Sequence, residues 1–244
     1  MEKSLKHLRI LTILFDLPLR YEELSKFRGA IIHLTKEKND FFHNHSEAGV
    51  IYRYPKIQYK KLGGKAALVC IDEGTEAIHD FFSGFDEPFI LGAEQIELKV
   101  EDIKAHQFNV GVWENSFEYQ LANWLPLNQE NYQKYNEVES YHEKMQILEG
   151  VLLGNLLTFC EGIGVNSERP IKAAITRIVN EKKIKYRGTL MQAYDVDIKT
   201  NLSIPNFIGL GKGSGLGYGM VTASIPGKAH SHSDSKNGTI HKNR

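Results

Sequence analysis

Strand and helix signatures alternate as β-α-β-β-α over the first ninety residues of this 244-residue chain, and a second run of strands surrounds one long helix beyond them. That order predicts an α+β fold of two tandem ferredoxin-like (RRM-like) domains, at residues 1–90 and 91–226. The folded part is expected to stop there, because GKAHSHSDSKNGTIHKNR from Gly227 onward is almost devoid of apolar side chains, with only Ala229 and Ile240. Residues 227–244 therefore read as a disordered tail.

Each element has its own signal. Residues 6–15 form a nearly continuous apolar run, read as a buried strand. YEELSKFRGAIIHL then sets Leu24, Phe27, Ile31 and Leu34 on one helical face. GVIYRYPKIQYKK reads as a second strand, with Pro55 marking an edge or a bulge because proline cannot donate to a ladder. Gly63 and Gly64 turn it into KAALVCI, and GTEAIHDFFSG follows as a short helix. The first domain then lacks only a closing strand. AEQIELKVEDI opens the second domain with Ile96, Leu98 and Val100 alternating, and QFNVGVW is its expected partner strand. Ser140 and Glu143 stand at capping-box spacing. Behind them Tyr141, Met145, Leu148, Leu152, Leu156 and Phe159 mark one face of a helix ended by Gly162 and Gly164. IKAAITRIV and IKYRGTLMQAYDVDIKT make a long basic hairpin, and YGMVTAS is the last strand.

The formal charge is zero, with 30 basic and 30 acidic side chains, yet the charges come in blocks. Arg53, Lys56, Lys60, Lys61 and Lys65 give residues 53–65 a net +5, residues 66–150 carry −13, and residues 168–244 carry +8. If the two basic blocks face one another, one surface is strongly positive, as a polyanion requires; solvated charge with no partner is the other reading. Cys70 and Cys160 lie in apolar runs and read as buried thiols of a reducing, cytoplasmic compartment. The amino terminus reads as a strand rather than a signal peptide, since His7, Arg9 and Asp16 interrupt it, and no membrane span is expected.

GLGKGSGLGYG, residues 209–219, has a glycine at every odd position. Bare backbone of this kind lets N–H groups approach an anion. The dinucleotide fingerprint and the P-loop both need glycines five apart, which all-odd positions cannot supply, so both are excluded. FFHNHSEAG places His43 and His45 two apart, just before the first basic block. Three readings stay open: metal ligation, which lacks further ligands at recognisable spacing; a structural loop; or a general base and general acid. Tyr52, Arg53 and Tyr54 follow, groups that neutralise phosphate or stack on bases.

With FHNH and YRYPKIQYK near the start and FIGLGKGSGLGYGMV near the end, the chain resembles the CRISPR-associated repeat-RNA processing endoribonucleases. The family loop, G-h-G, five residues, G-h-G, maps onto Gly209, Leu210, Gly211 and Gly217, Tyr218, Gly219. The resemblance spans nearly everything but the tail. It implies two ferredoxin-like domains and metal-independent cleavage of a CRISPR repeat transcript by the 2′-hydroxyl, with no cofactor and no metal. His43 and His45 match the paired histidines of one subtype, and Tyr52 a nearby tyrosine. RNA contacts are expected from Arg53, Lys56, Lys60, Lys185 and Arg187, with Gly209, Gly211, Gly213, Gly217 and Gly219 laid against the RNA backbone or the adjoining helix and Lys212 and Ser214 reaching phosphate. Expected partners are CRISPR repeat RNA, other CRISPR-associated interference subunits and a second copy of the chain. A non-catalytic RNA-binding subunit is the alternative.

Overall fold

The structure is a computed structural model describing residues 5–35, 40–43, 45–46, 49–50, 54–84 and 88–224; the tail lies outside the described residues. The N-terminal half starts with strand β1 (Lys6–Pro18) and helix α1 (Leu24–Leu34). Three short pieces follow, α2 (Asp40–His43), β2 (His45–Ser46) and β3 (Gly49–Val50). Then come β4 (Ile57–Leu62), β5 (Lys65–Ile71) and α3 (Glu73–Ser83). A small hairpin, β6 (Phe89–Leu91) with β7 (Glu94–Ile96), leads to β8 (Val100–Val110). The long strands form an antiparallel sheet in the order β4-β5-β1-β8. Successive residues of a strand face opposite ways. Ile13 and Phe15 of β1 thus meet Leu24, Phe27, Ile31 and Leu34 of α1 and Phe81 of α3, while Leu8 and Ile10 point away from those helices.

The closing strand is β8, which pairs with β1 from Lys6↔Val110 to Phe15↔Val100. The break between halves therefore falls at Gly111, not at the expected residue 90. The strand expected across residues 93–103 is divided, since Glu94–Ile96 folds back on Phe89–Leu91. QFNVGVW is not its partner but the end of β8 and the start of the next strand. β8 has no legible alternation because it is a sheet edge: Glu101, Lys104, Ala105, His106 and Gln107 are all exposed.

The C-terminal half comprises β9 (Val112–Trp124), α4 (Gln129–Glu137), α5 (Tyr141–Ile163), β10 (Ala173–Tyr186), β11 (Thr189–Leu202) and β12 (Met220–Ala223). Its sheet order, β10-β11-β9-β12, repeats that of the first half strand for strand. The glycine run stands where α3 stands in the first half. β10 and β11 pair, with register shifts at Ile175/Arg177 and Ile178/Asn180, up to a two-residue turn at Arg187 and Gly188, whose φ values of +48° and +84° suit the twist of a hairpin.

Ser140 occupies the N-cap of α5, but its side chain makes no capping bond, so the expected capping box is not formed, and Tyr141 is exposed. Gly164, at φ +71°, closes the helix. Gly162 has another use: a Cβ there would overlap Tyr54. Contrary to the sequence expectation, α5 has the length and composition of a membrane span. In this fold its apolar face, Leu148, Leu152, Leu156 and Phe159, is core. Leu8, Ile10, Val69 and Ile71 of the first sheet belong to that same cluster, so one core crosses the seam.

The glycine run lies over that seam, against the β4 edge. Tyr54 Oη donates to Gly209 O (2.7 Å), Gln58 Oε1 accepts from Gly209 N (2.8 Å), and Lys60 Nζ donates to Ser214 O (2.8 Å). Gly219, at φ +59°, has no room for a Cβ beside Leu210 O, and Gly217, at φ +78°, lets Leu24 of α1 approach. Lys60 is fully buried, and desolvation lowers its ammonium pKa from 10.5 to about 7. The unfolded chain holds that proton up to its ordinary pKa, so between pH 7 and 10.5 the unfolded state binds more protons. Stability contributed by this group therefore grows as pH rises through that window and is lost as pH falls to about 7. Lys60→Met, which leaves Ser214 O unpaired, should cost about 1–3 kcal/mol. Its deficit against the parent protein should widen between pH 7 and pH 9 in denaturant titrations, about the window set by the Lys60 pKa.

Candidate functional site

Two neighbouring residues of β4 hold the segments that carry the sequence motifs. Tyr59 Oη donates to the carbonyl of Phe42 (3.3 Å), and Phe42 is the buried residue just before His43. Lys60, on the opposite face of the strand, holds Ser214 in the middle of the glycine run. His43 ends α2 and His45 opens β2, where it pairs with Val50. Tyr52, Arg53 and the side chains of His43 and His45 lie outside the described residues.

A line of cations and tyrosines runs along the same seam. At the hairpin tip, Arg187 Cζ and Lys212 Nζ stand 5.5 and 6.0 Å from the ring centroid of Tyr186. Tyr186 meets Tyr218 edge-on at 5.2 Å, and Tyr218 meets Tyr21 at 6.3 Å. Lys61 Nζ lies 5.8 Å from the Tyr21 ring, and Tyr21 Oη donates to Gly217 O (3.4 Å). Hairpin, glycine run and the entrance to α1 are thereby joined. Among the described residues Lys61, Lys185, Arg187 and Lys212 carry no ion pair, whereas Arg177 and Lys182 farther along the hairpin are paired with Asp197 and Asp195. Uncompensated cations gathered around shared rings repel one another, and an anionic chain laid across them relieves that repulsion.

The expected RNA contacts divide sharply. Lys185, Arg187 and Lys212 are exposed. Lys60 is not on a basic surface, being wholly buried, and Lys56 is buried and paired with Glu73 (3.1 Å). Ser214 is buried, with its carbonyl taken by Lys60. The glycines face protein: Gly209 meets Lys60 and Ser214, Gly211 meets Asn155, Gly213 meets Tyr186 and Tyr218, Gly217 meets Leu24, and Gly219 meets Leu210. They let the loop pack on the strand and helices, the second of the two placements expected for them. Tyr21 and Tyr186 escape a reading of charge and glycine alone, while Lys61 and Tyr218, counted in the basic block and the glycine motif, are not among the expected contacts; the alternation of Tyr186 with Lys185 and Arg187 is the signal that would find the hairpin end of the line.

Residues 6–109 match the Cas6b N-terminal domain, and residues 111–224 match the Cas6b C-terminal domain. A crystal structure of Cas6b superposes with a TM-score of 0.79 at 22% identity, over 90% of this chain and all of that one. A CRISPR RNA processing endoribonuclease, also Cas6b, gives 0.67 at 21% identity over the same shares. An uncharacterized protein of Methanocaldococcus jannaschii, MJ0978, is 29% identical over 142 residues, covering 54% of this chain and 94% of that protein. Both domains, in order and meeting at Gly111, place the chain in the Cas6b family of CRISPR RNA processing endoribonucleases.

Proposed function

We propose that the chain cuts CRISPR repeat transcripts without a metal ion, using the substrate's own 2′-hydroxyl. One of His43 and His45 takes the 2′ proton as the 2′-oxygen bonds to phosphorus. The other gives a proton to the departing 5′-oxygen as the P–O5′ bond breaks. The products are a 2′,3′-cyclic phosphate and a 5′-hydroxyl, and Tyr52 is a third participant by its match to the family tyrosine. RNA reaches this segment over Lys185, Arg187 and Lys212. One observation carries the reading: Tyr59 and Lys60, adjacent on β4, anchor the residue before His43 and the glycine run beside the cation line. Partners on this reading are repeat RNA, other CRISPR-associated interference subunits that take over the product, and a second copy of the chain; the setting is the cytoplasm.

His45→Ala should slow single-turnover cleavage of a labelled repeat by about 10²–10⁴-fold while RNA affinity stays within a few-fold. His43→Ala should also be slow, and parent-like rates in both variants would sink the assignment. Replacing the 2′-hydroxyl 5′ of the cut by hydrogen should abolish cleavage and leave binding, and EDTA should change nothing; cleavage of the deoxy substrate with loss on chelation would mean a metal-activated water instead. Arg187→Ala combined with Lys212→Ala should weaken binding and lower the slope of log K against log salt by about 1–2 if each side chain meets one phosphate. An unchanged slope in titrations from low to high salt would remove the hairpin tip from the interface.

A further inference from the structure

A base that reached the cation line would find no ring to stack on. Tyr186 is only 9% exposed, has Arg187 and Lys212 over its ring and meets Tyr218 edge-on, while the Tyr21 ring is taken by Lys61 and Tyr218. On that side the hairpin tip offers charge without a stacking surface. Ile184 and Met191, paired across the ladder, share the face of Tyr186 and pack with it in one small cluster with Ala193 and Tyr218. The residues between them, Lys183 and Lys185 on β10 and Leu190 and Gln192 on β11, therefore turn to the reverse face. That face is built differently. Leu190 is 64% exposed, more than any other aliphatic side chain among the described residues. It stands directly across from Lys185, and Lys183 is the next cation along. Both lysines are exposed, and among the described residues neither is in an ion pair. Gln192, opposite Lys183, donates to Glu181, which bounds the patch with negative charge one step farther from the tip.

We propose that Leu190 packs against an unpaired base of the repeat RNA while Lys183 and Lys185 hold the phosphates beside it, so that the strand passes around the hairpin tip from the Lys212 side to the reverse face. The inference rests on the reading that RNA reaches the chain over Arg187 and Lys212, and it adds to that electrostatic track a contact with a base. Unpaired bases splay out and present a broad apolar face, which an aliphatic side chain covers whatever the base. An uncovered leucine gains nothing in the free protein; its area becomes favourable when a partner removes it from water. Arg187, at the apex of the turn, stands between the two sides.

The test measures binding of the full chain to the 2′-deoxy repeat RNA over a series of salt concentrations. Leu190→Ala should weaken binding about five- to ten-fold and leave the slope of log K against log salt unchanged, because an apolar contact releases no counterions. Leu190→Met, which keeps an apolar side chain, should bind as the parent does. Lys183→Ala combined with Lys185→Ala should lower the slope by about 1–2. A single abasic nucleotide, walked along the repeat, should at one position cost the parent protein as much as Leu190→Ala does and cost Leu190→Ala nothing further. Parent-like binding by Leu190→Ala overturns the proposal, and so does an abasic penalty that is the same in parent and variant at every position. A slope that falls in Leu190→Ala overturns it too, since the loss then comes from displaced cations. If Arg187→Ala with Lys212→Ala lowers the slope while the reverse-face variants bind like the parent, RNA stays on the glycine side and this inference alone fails. If neither set changes binding, the RNA path over the hairpin is itself wrong.

Discussion

A single buried amine, Lys60 Nζ on the carbonyl of Ser214, ties β4 to the middle of the glycine run, and the placing of both sequence motifs depends on that strand. Removing an ammonium from water costs several kcal/mol, and the protein meets that cost partly by releasing the proton near neutrality. What the contact secures is position. The glycine run has no helix or long strand of its own, only the short turn Ser214–Leu216, so its path depends on bonds to neighbours. Tyr54, Gln58 and Lys60 from β4 and the residues leading into it supply three of them. Because β4 also fixes the residue before His43, the loop and the histidine segment are referred to one strand rather than to each other.

The repeated sheet order explains why a loop and not a helix lies here. In the first half the connection between third and fourth strands is α3, which covers its own sheet. In the second half the same connection is the glycine run, which reaches across to the other domain. A helix with side chains is about 10–12 Å across, whereas a bare backbone needs little more than the ~4.8 Å spacing of neighbouring strands. Glycine makes the connection thin enough to enter the seam and leaves the outward side chains, Lys212 and Tyr218, to face the hairpin tip.

The buried faces of α1 and α5 and the Gly63-Gly64 hairpin are legible in the sequence because each couples a clear period to a clear stop. β8 is not, since an edge strand needs no apolar alternation and this one is lined with charge. The β10–β11 turn hides for a similar reason: Asn180, Glu181, Lys182 and Lys183 look like a break, but cross-strand partners such as Asp195 for Lys182 satisfy them within the ladder. The histidine pair and the glycine spacing stand out as motifs. The fate of Lys56 and Lys60 does not, because a run of lysines carries no record of which amine folding will bury.

The core shared between the halves governs how the molecule can move. Swinging the two lobes apart about Gly111 would strip Leu8, Ile10, Val69 and Ile71 from the α5 side of the cluster. At about 1.5–3 kcal/mol for each such side chain the opening costs roughly 6–12 kcal/mol, which rivals the whole stability of an ordinary domain. Hinge closure around a ligand, the usual resource of two-lobed binding proteins, is therefore closed to this fold. If RNA settles on the seam, as proposed, it gives up its own conformational entropy to fit a surface already in place, and the protein contributes almost none.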